Sequence, residues 1–172
     1  MEATLIPQTS QFLAAFCATI FAGAAIYTNI AEHPARMPGY THAATAQWAH
    51  SYRRTTFMQA PLASISLIAG IAAWLFGAGA WWLIAAVLVG AVVPFTFIAI
   101  MPTNYELLAS DRDLASGATG RLLERWARLH AVRSALSLVA SVLFLGNLQR
   151  PNSYCSRPTV KVFNGSSLAV EP

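Results

Sequence analysis

Residues 61–77, PLASISLIAGIAAWLFG, and residues 81–101, WWLIAAVLVGAVVPFTFIAIM, decide the fold of this chain. Both fall within the roughly 17–25 residues that an α-helix needs to cross a hydrocarbon core. Only Ser64, Ser66 and Thr96 break their apolar character at mid-depth. The link between them is Gly77-Ala78-Gly79-Ala80, room for one tight turn, so the pair predicts an antiparallel helical hairpin.

Two further apolar blocks flank that hairpin, at about 12–29 and 129–145. The second starts less cleanly, because it carries His130 and Arg133. Four spans therefore predict an all-α integral membrane bundle over residues 1–149, with two longer loops on one face. A polar tail with Pro, Ser and Asn follows over residues 150–172 and is expected to be disordered. The composition agrees. Of 172 residues, 56% are hydrophobic and only 10% charged, too few charges to cover a soluble domain of this size. In the first block Ala14, Ala15, Ala18, Gly23 and Ala24 would let helices approach closely, as packing in lipid favours.

Charge then orients the bundle. The two longer loops, about 30–58 and 102–128, fall on one side together with the start of the fourth span. That side holds Arg36, Arg53, Arg54, Arg112, Arg121, Arg125, Arg128 and Arg133, against Arg150, Arg157 and Lys161 on the other. The positive-inside rule makes both loops cytoplasmic and both termini outside or lumenal, in an endomembrane if the source is eukaryotic. Glu2 and the lack of a basic segment ahead of the first block predict a retained helix rather than a signal peptide. A net charge of +4 spread over eleven Lys and Arg gives no clustered basic face, so no nucleic-acid partner is expected. Cys17 and Cys155 form no C-x-x-C pair. Asn164-Gly165-Ser166 is a glycosylation sequon, a weak signal that a lumenal tail would make usable.

Ionisable groups in or beside spans are costly in lipid, which makes each a functional candidate. Here they gather at one end. Tyr27, Asn29, Glu32 and His33 close the first span, with Pro34 expected to push His33 to the edge of helical geometry. Pro102-Thr103-Asn104-Tyr105 closes the third. Trp126, His130 and Arg133, four and three residues apart, share a face where the fourth begins. The spacing supports a polar group of Glu32, His33, His130 and Arg133, with an Arg133–Glu32 ion pair attractive. For Tyr27 and Trp126 an interfacial anchor is an equally good reading. His33, His130 and Glu32 also suffice as ligands for copper or iron, although no local pair such as H-x-x-x-H is present.

The order of these motifs resembles the anthrone oxygenase family of small four-helix membrane proteins. The resemblance spans roughly residues 10–148. It is carried by Glu32-His33-Pro34-Ala35-Arg36, by Trp48, Tyr52, Arg53 and Arg54, by Met58-Gln59-Ala60-Pro61-Leu62, by Met101-Pro102-Thr103-Asn104 and by Trp126-x-x-x-His130-x-x-Arg133. It implies oxidation of an anthrone, a planar aromatic polyketide, to its anthraquinone with O2 as co-substrate and with no flavin or haem. An anthrone C10–H is acidic and its anion reduces oxygen directly, so the protein need supply only a base, an oxyanion partner and a dry, flat pocket. On that reading His33 or His130 is the base, because imidazole titrates near working pH, and Glu32 orients it. Arg133 and Asn104 hold the developing phenolate or a peroxide. Trp48, Tyr52 and Trp126 stack on the substrate, and Tyr27, Asn29, Arg54 and Gln59 complete its binding site. The alternatives are the same oxidation at a copper or iron centre and a non-catalytic scaffold or carrier. The apolar middles of spans two and three speak against a conduction path. Which histidine is the base, the exact substrate and the oligomeric state stay open at this level.

Overall fold

The computed structural model describes residues 2–149, so the tail, Cys155 and the Asn164 sequon lie outside the described residues. Within them every regular element is helical: α1 (Glu2–Tyr27), α2 (His33–Arg36), α3 (Thr41–Leu75), α4 (Ala80–Phe95), α5 (Met101–Leu107) and α6 (Gly117–Leu148). Two five-residue π-turns, Thr28–Glu32 and Thr96–Ile100, join α1 to α2 and α4 to α5 without a break in the helical path. Four continuous rods result, Leu5–Arg36, Thr41–Leu75, Ala80–Leu107 and Gly117–Leu148, each long and apolar enough to cross a membrane.

The rods outrun the apolar blocks that predicted them. The first continues through Pro34 to Arg36, and the third runs on through Pro102 to Leu107. Both extensions share one device. Proline lacks the N–H of the usual i→i−4 bond, and just ahead of each proline the helix widens. His33 N–H donates to Thr28 O, and Met101 N–H to Thr96 O, both five residues back. The wide turn absorbs the defect, so His33 keeps helical angles (φ −66°, ψ −48°) instead of being pushed out of the helix.

α1 packs against α3 and α6, α4 packs against the same two, and α1 faces α4 across the bundle. Ala14, Ala18, Phe21 and Ala25 form the inner stripe of α1, at helical spacing. Small residues set the separations. The Ser66 hydroxyl of α3 donates to the Ala14 carbonyl of α1 at 2.8 Å. A Cβ on Gly70 would lie 2.8 Å from Ala86 Cβ and 2.9 Å from the Phe144 ring, so α3 meets α4 and α6 there almost backbone to side chain. Ala14, Ala15 and Ala18 are buried as expected, whereas Gly23 has open space beside it and mediates no approach. At the hairpin, Gly77 (φ 87°) and Gly79 (φ 99°) adopt the positive φ that the sharp reversal needs. At the opposite end, the Ser116 hydroxyl caps α6 by accepting from Thr119 N–H.

Candidate active site

A second buried layer lies at the loop end, where Ala44, Trp48, Ile100, Leu107, Leu123 and Trp126 pack together. Between it and the alanine-rich core is a cavity of about 810 Å³, open mouth included, reached by all four rods. Phe21, Val92, Val93, Phe97, Ile100 and Trp126 supply apolar wall, while Gln59, Asn104, His130 and Arg133 supply polar groups.

His130 is held by an arrangement that fixes its chemistry. Its Nδ1 lies 2.6 Å from Asn29 Oδ1. Asn29 donates from Nδ2 to the Ala127 carbonyl at 3.0 Å, which orients the amide and leaves Oδ1 facing the imidazole. The Ser134 hydroxyl donates to the same Oδ1 at 2.8 Å. An amide oxygen only accepts, so the proton sits on Nδ1 and Nε2 is the basic nitrogen. Asn29 can be placed so because it stands in the π-turn, while Ser134 falls one turn after His130 on α6.

Arg133 donates to Gln59 Oε1 and lies 5.0 Å over the Phe21 ring. Among the described residues it has no carboxylate partner; the ion pairs are Arg36–Glu32 and Arg112–Glu106. The expected Arg133–Glu32 pair does not form. Glu32 lies one helical turn before Arg36 and accepts from it instead, and the fully buried Arg36 guanidinium also reaches Ser51 at 3.2 Å. Glu32 consequently orients neither histidine. Asn104, 1% exposed, lines the cavity with both amide atoms free of protein partners, and Gln59 Nε2 is likewise unpaired.

The aromatic residues divide by depth. Trp126 and Tyr52 line the cavity. Trp48 does not; it lies behind Tyr52, stacked at 5.3 Å, and meets Trp126 edge-on at 5.8 Å. His130 stacks on Trp126 at 4.8 Å, and His33 packs against the same indole at 5.8 Å without reaching the cavity. Tyr27 is 63% exposed and Arg54 is exposed, both away from the cavity, because helical rotation turns them outward. Of the residues singled out in the sequence, the fold thus brings Tyr52, Gln59, Asn104, Trp126, His130 and Arg133 to one cavity. Asn29 stands directly behind His130. Among the described residues no three His, Cys, Asp or Glu side chains converge as an ion-holding group, so Glu32, His33 and His130 do not form the alternative ligand set.

Sequence reasoning missed Phe21, Thr28, Thr96 and Ser134 at this site, as well as the internal role of Arg36. The i+4 spacings of Ser134 after His130 and of Arg36 after Glu32 were the available signals. Phe21, Thr28 and Thr96 carry none, because apolar and hydroxyl residues inside spans read as ordinary membrane helix.

A family model described as anthrone oxygenase matches residues 48–143, which takes in most of α3 and α6 and all of α4 and α5 but not α1. The anthrone oxygenase tpcL of Aspergillus fumigatus is 44% identical over 77 residues, covering 43% of this chain and 48% of that protein. The anthrone oxygenase ptaC of Pestalotiopsis fici is 37% identical over 79 residues, covering 40% of this chain and 56% of that protein. The chain thus spans about half the length of these curated relatives. No solved structure matches.

Proposed function

The chain belongs to the anthrone oxygenase family, and from that premise we propose that it is a membrane-embedded oxygenase converting an anthrone-type aromatic to its anthraquinone with O2, by base catalysis in the four-rod cavity. The observation that carries this reading is Arg133: a cation at an aromatic-walled cavity with no carboxylate partner among the described residues, beside an imidazole whose free nitrogen is basic. A site so arranged favours a flat guest that becomes an anion on deprotonation.

In the proposed sequence, His130 Nε2 takes a proton from C10, giving an anthranolate whose charge develops toward Arg133. The anion passes one electron to O2, and the resulting radical and superoxide combine in a C10–O bond. The imidazolium returns its proton to the peroxide. Removal of the second C10 hydrogen then forms the carbonyl as the O–O bond breaks, and the departing hydroxide leaves with that proton as water. The sum is anthrone plus O2 giving anthraquinone plus water. Asn104 and Gln59 Nε2 supply hydrogen bonds to the peroxide or a phenol oxygen. His33 lies behind Trp126 and takes no proton in this scheme. The loops at the cavity end face the cytoplasm, because Arg53, Arg54, Arg112, Arg121, Arg125 and Arg128 lie there.

Oxygen uptake by detergent-purified protein with emodin anthrone tests the reading. Turnover should exceed the spontaneous rate, persist with a strong chelator and fall by about 10²–10⁴-fold in His130→Ala. Turnover lost to chelation and restored by one metal would replace the base mechanism with a metal mechanism. A fully active His130→Ala would remove His130 from the chemistry.

A further inference from the structure

Along the bundle axis the cavity lies between two buried layers. Toward the loops it meets the buried layer containing Trp48 (0% exposed), Leu107, Leu123 and Trp126. Toward the hairpin it meets the close-packed core of Ala14, Ala18, Ala69, Ala86 and Val89. Of the residues that line the cavity, the exposed ones are Thr56 and Ala60 of α3, with Val93 of α4 and Phe97 of the second π-turn. All four lie along one seam of the bundle. Those from α1 and α6 are buried or, in Arg133, half-buried.

The same two rods close tightly on the hairpin side of this opening. A Cβ on Gly90 of α4 would meet Leu67 of α3 at 2.9 Å, so Leu67 lies directly against the α4 backbone. The opening begins just past that contact, where Pro94 and the wide turn Thr96–Ile100 interrupt the regular α-helical hydrogen bonding of the third rod. Phe97 is roughly 15 Å along the rod from its loop end at Leu107, at about 1.5 Å per residue. With a hydrocarbon core of roughly 30 Å, that depth is below the headgroups and among acyl chains. The residues outside the mouth are apolar as well: Ile98 is 77% exposed and Phe57 85%.

We propose that the cavity opens sideways into the bilayer, through a window between α3 and α4 framed by Thr56, Ala60, Val93 and Phe97, and that substrate and product exchange with the lipid phase through it. The substrate class follows from the route: a neutral, planar aromatic dissolved in the membrane, which acquires charge only inside. An ion or a water-soluble conjugate does not take this path, since it would cross hydrocarbon before reaching Arg133. Ala60 and Phe97 then govern access.

This inference rests on the oxygenase reading for the identity of its guest, so the test separates the two. Protein reconstituted in phosphatidylcholine vesicles is mixed with emodin already dissolved in the lipid, and quenching of tryptophan fluorescence follows binding by stopped flow. Ala60→Phe should slow association and dissociation together by tenfold or more with little change in Kd, the signature of a gate, while Phe97→Ala speeds both. Val87→Phe, on lipid-exposed α4 away from the mouth, should bind at the wild-type rate. Oxygen uptake with emodin anthrone is measured in the same vesicles. Wild-type association rates in both Ala60→Phe and Phe97→Ala, in protein that turns over, would overturn the window and leave the oxygenase standing. Gated binding without turnover would overturn the oxygenase and leave the window standing.

Discussion

The residue with the greatest consequence is Asn29, which looks like a substrate contact in the sequence and in the fold supports His130, the proposed base. One amide takes up three roles: Nδ2 fixes it to the Ala127 carbonyl, and Oδ1 accepts from both His130 and Ser134. It stands where a carboxylate would give a stronger but charged support, and in a hydrocarbon setting a neutral acceptor avoids the cost of burying that charge. In the proposed mechanism Asn29 is therefore a positioning residue, acting on substrate only through His130. Asn29→Ala should lower kcat by about tenfold to a hundredfold with KM nearly unchanged, and Ser134→Ala should lower it less, since one of the two hydrogen bonds to Oδ1 remains. Steady-state oxygen uptake on protein with unaltered helical circular dichroism checks both; an equal rise in KM would return Asn29 to substrate contact. These roles were partly legible. His130 and Arg133 announce themselves as ionisable groups in a span, but nothing in the spacing distinguishes Asn29 behind the imidazole from Asn29 facing a ligand.

At the scale of the element, two features shape the site: the π-turns before Pro34 and Pro102, and the glycines where α3 crosses its neighbours. Each wide turn inserts one residue's worth of rotation, about 100°, between the membrane part of its rod and the part at the loop end. Asn29 sits within one of them, and Thr96 and Phe97 within the other. Removing Ala31 should convert the first to ordinary α-helix, preserve helix content and lower turnover, because the segments on either side of it, Asn29 with His130 and Arg36 with Ser51, can no longer both keep their partners; retained activity would show that the turn is not needed. The glycines carry a graded expectation. Gly70→Ala places its methyl against Ala86 Cβ at 2.8 Å and the Phe144 ring at 2.9 Å, whereas Gly90→Ala meets the flexible tip of Leu67. Overpacking of the first kind costs about 1–3 kcal/mol, and the second should cost less. Equilibrium unfolding in mixed micelles orders the two, and a reversed order would contradict the packing. Prolines in the sequence signalled where the helices change, but not that they continue. The continuation depends on a backbone bond that no side chain encodes directly.

At the scale of the molecule, the bundle places a cavity between two buried layers and carries most of its arginines at one end. Two of the eight expected to set topology serve elsewhere: Arg36 is enclosed with Glu32 and Ser51, and Arg133 faces the cavity. Six remain on the loop side, enough to keep the orientation argument. Gly39→Cys, in a turn where a Cβ meets only the Arg36 carbonyl at an ordinary 3.6 Å, should label with a membrane-impermeant maleimide from the cytoplasmic side once Cys17 and Cys155 are replaced by alanine. Labelling from the opposite side alone would invert the topology. By itself the sequence determined the four spans, the hairpin and the end of the bundle that holds the polar residues, because hydrophobic length and the cost of charge in lipid are properties of the chain read linearly. Only the tertiary structure decided that Glu32 pairs with Arg36, that His33 is shut off behind Trp126, and that the cavity opens between α3 and α4. Each of these depends on helical rotation and on which rods become neighbours, and a one-residue change of phase in a π-turn alters both without leaving a mark in hydropathy.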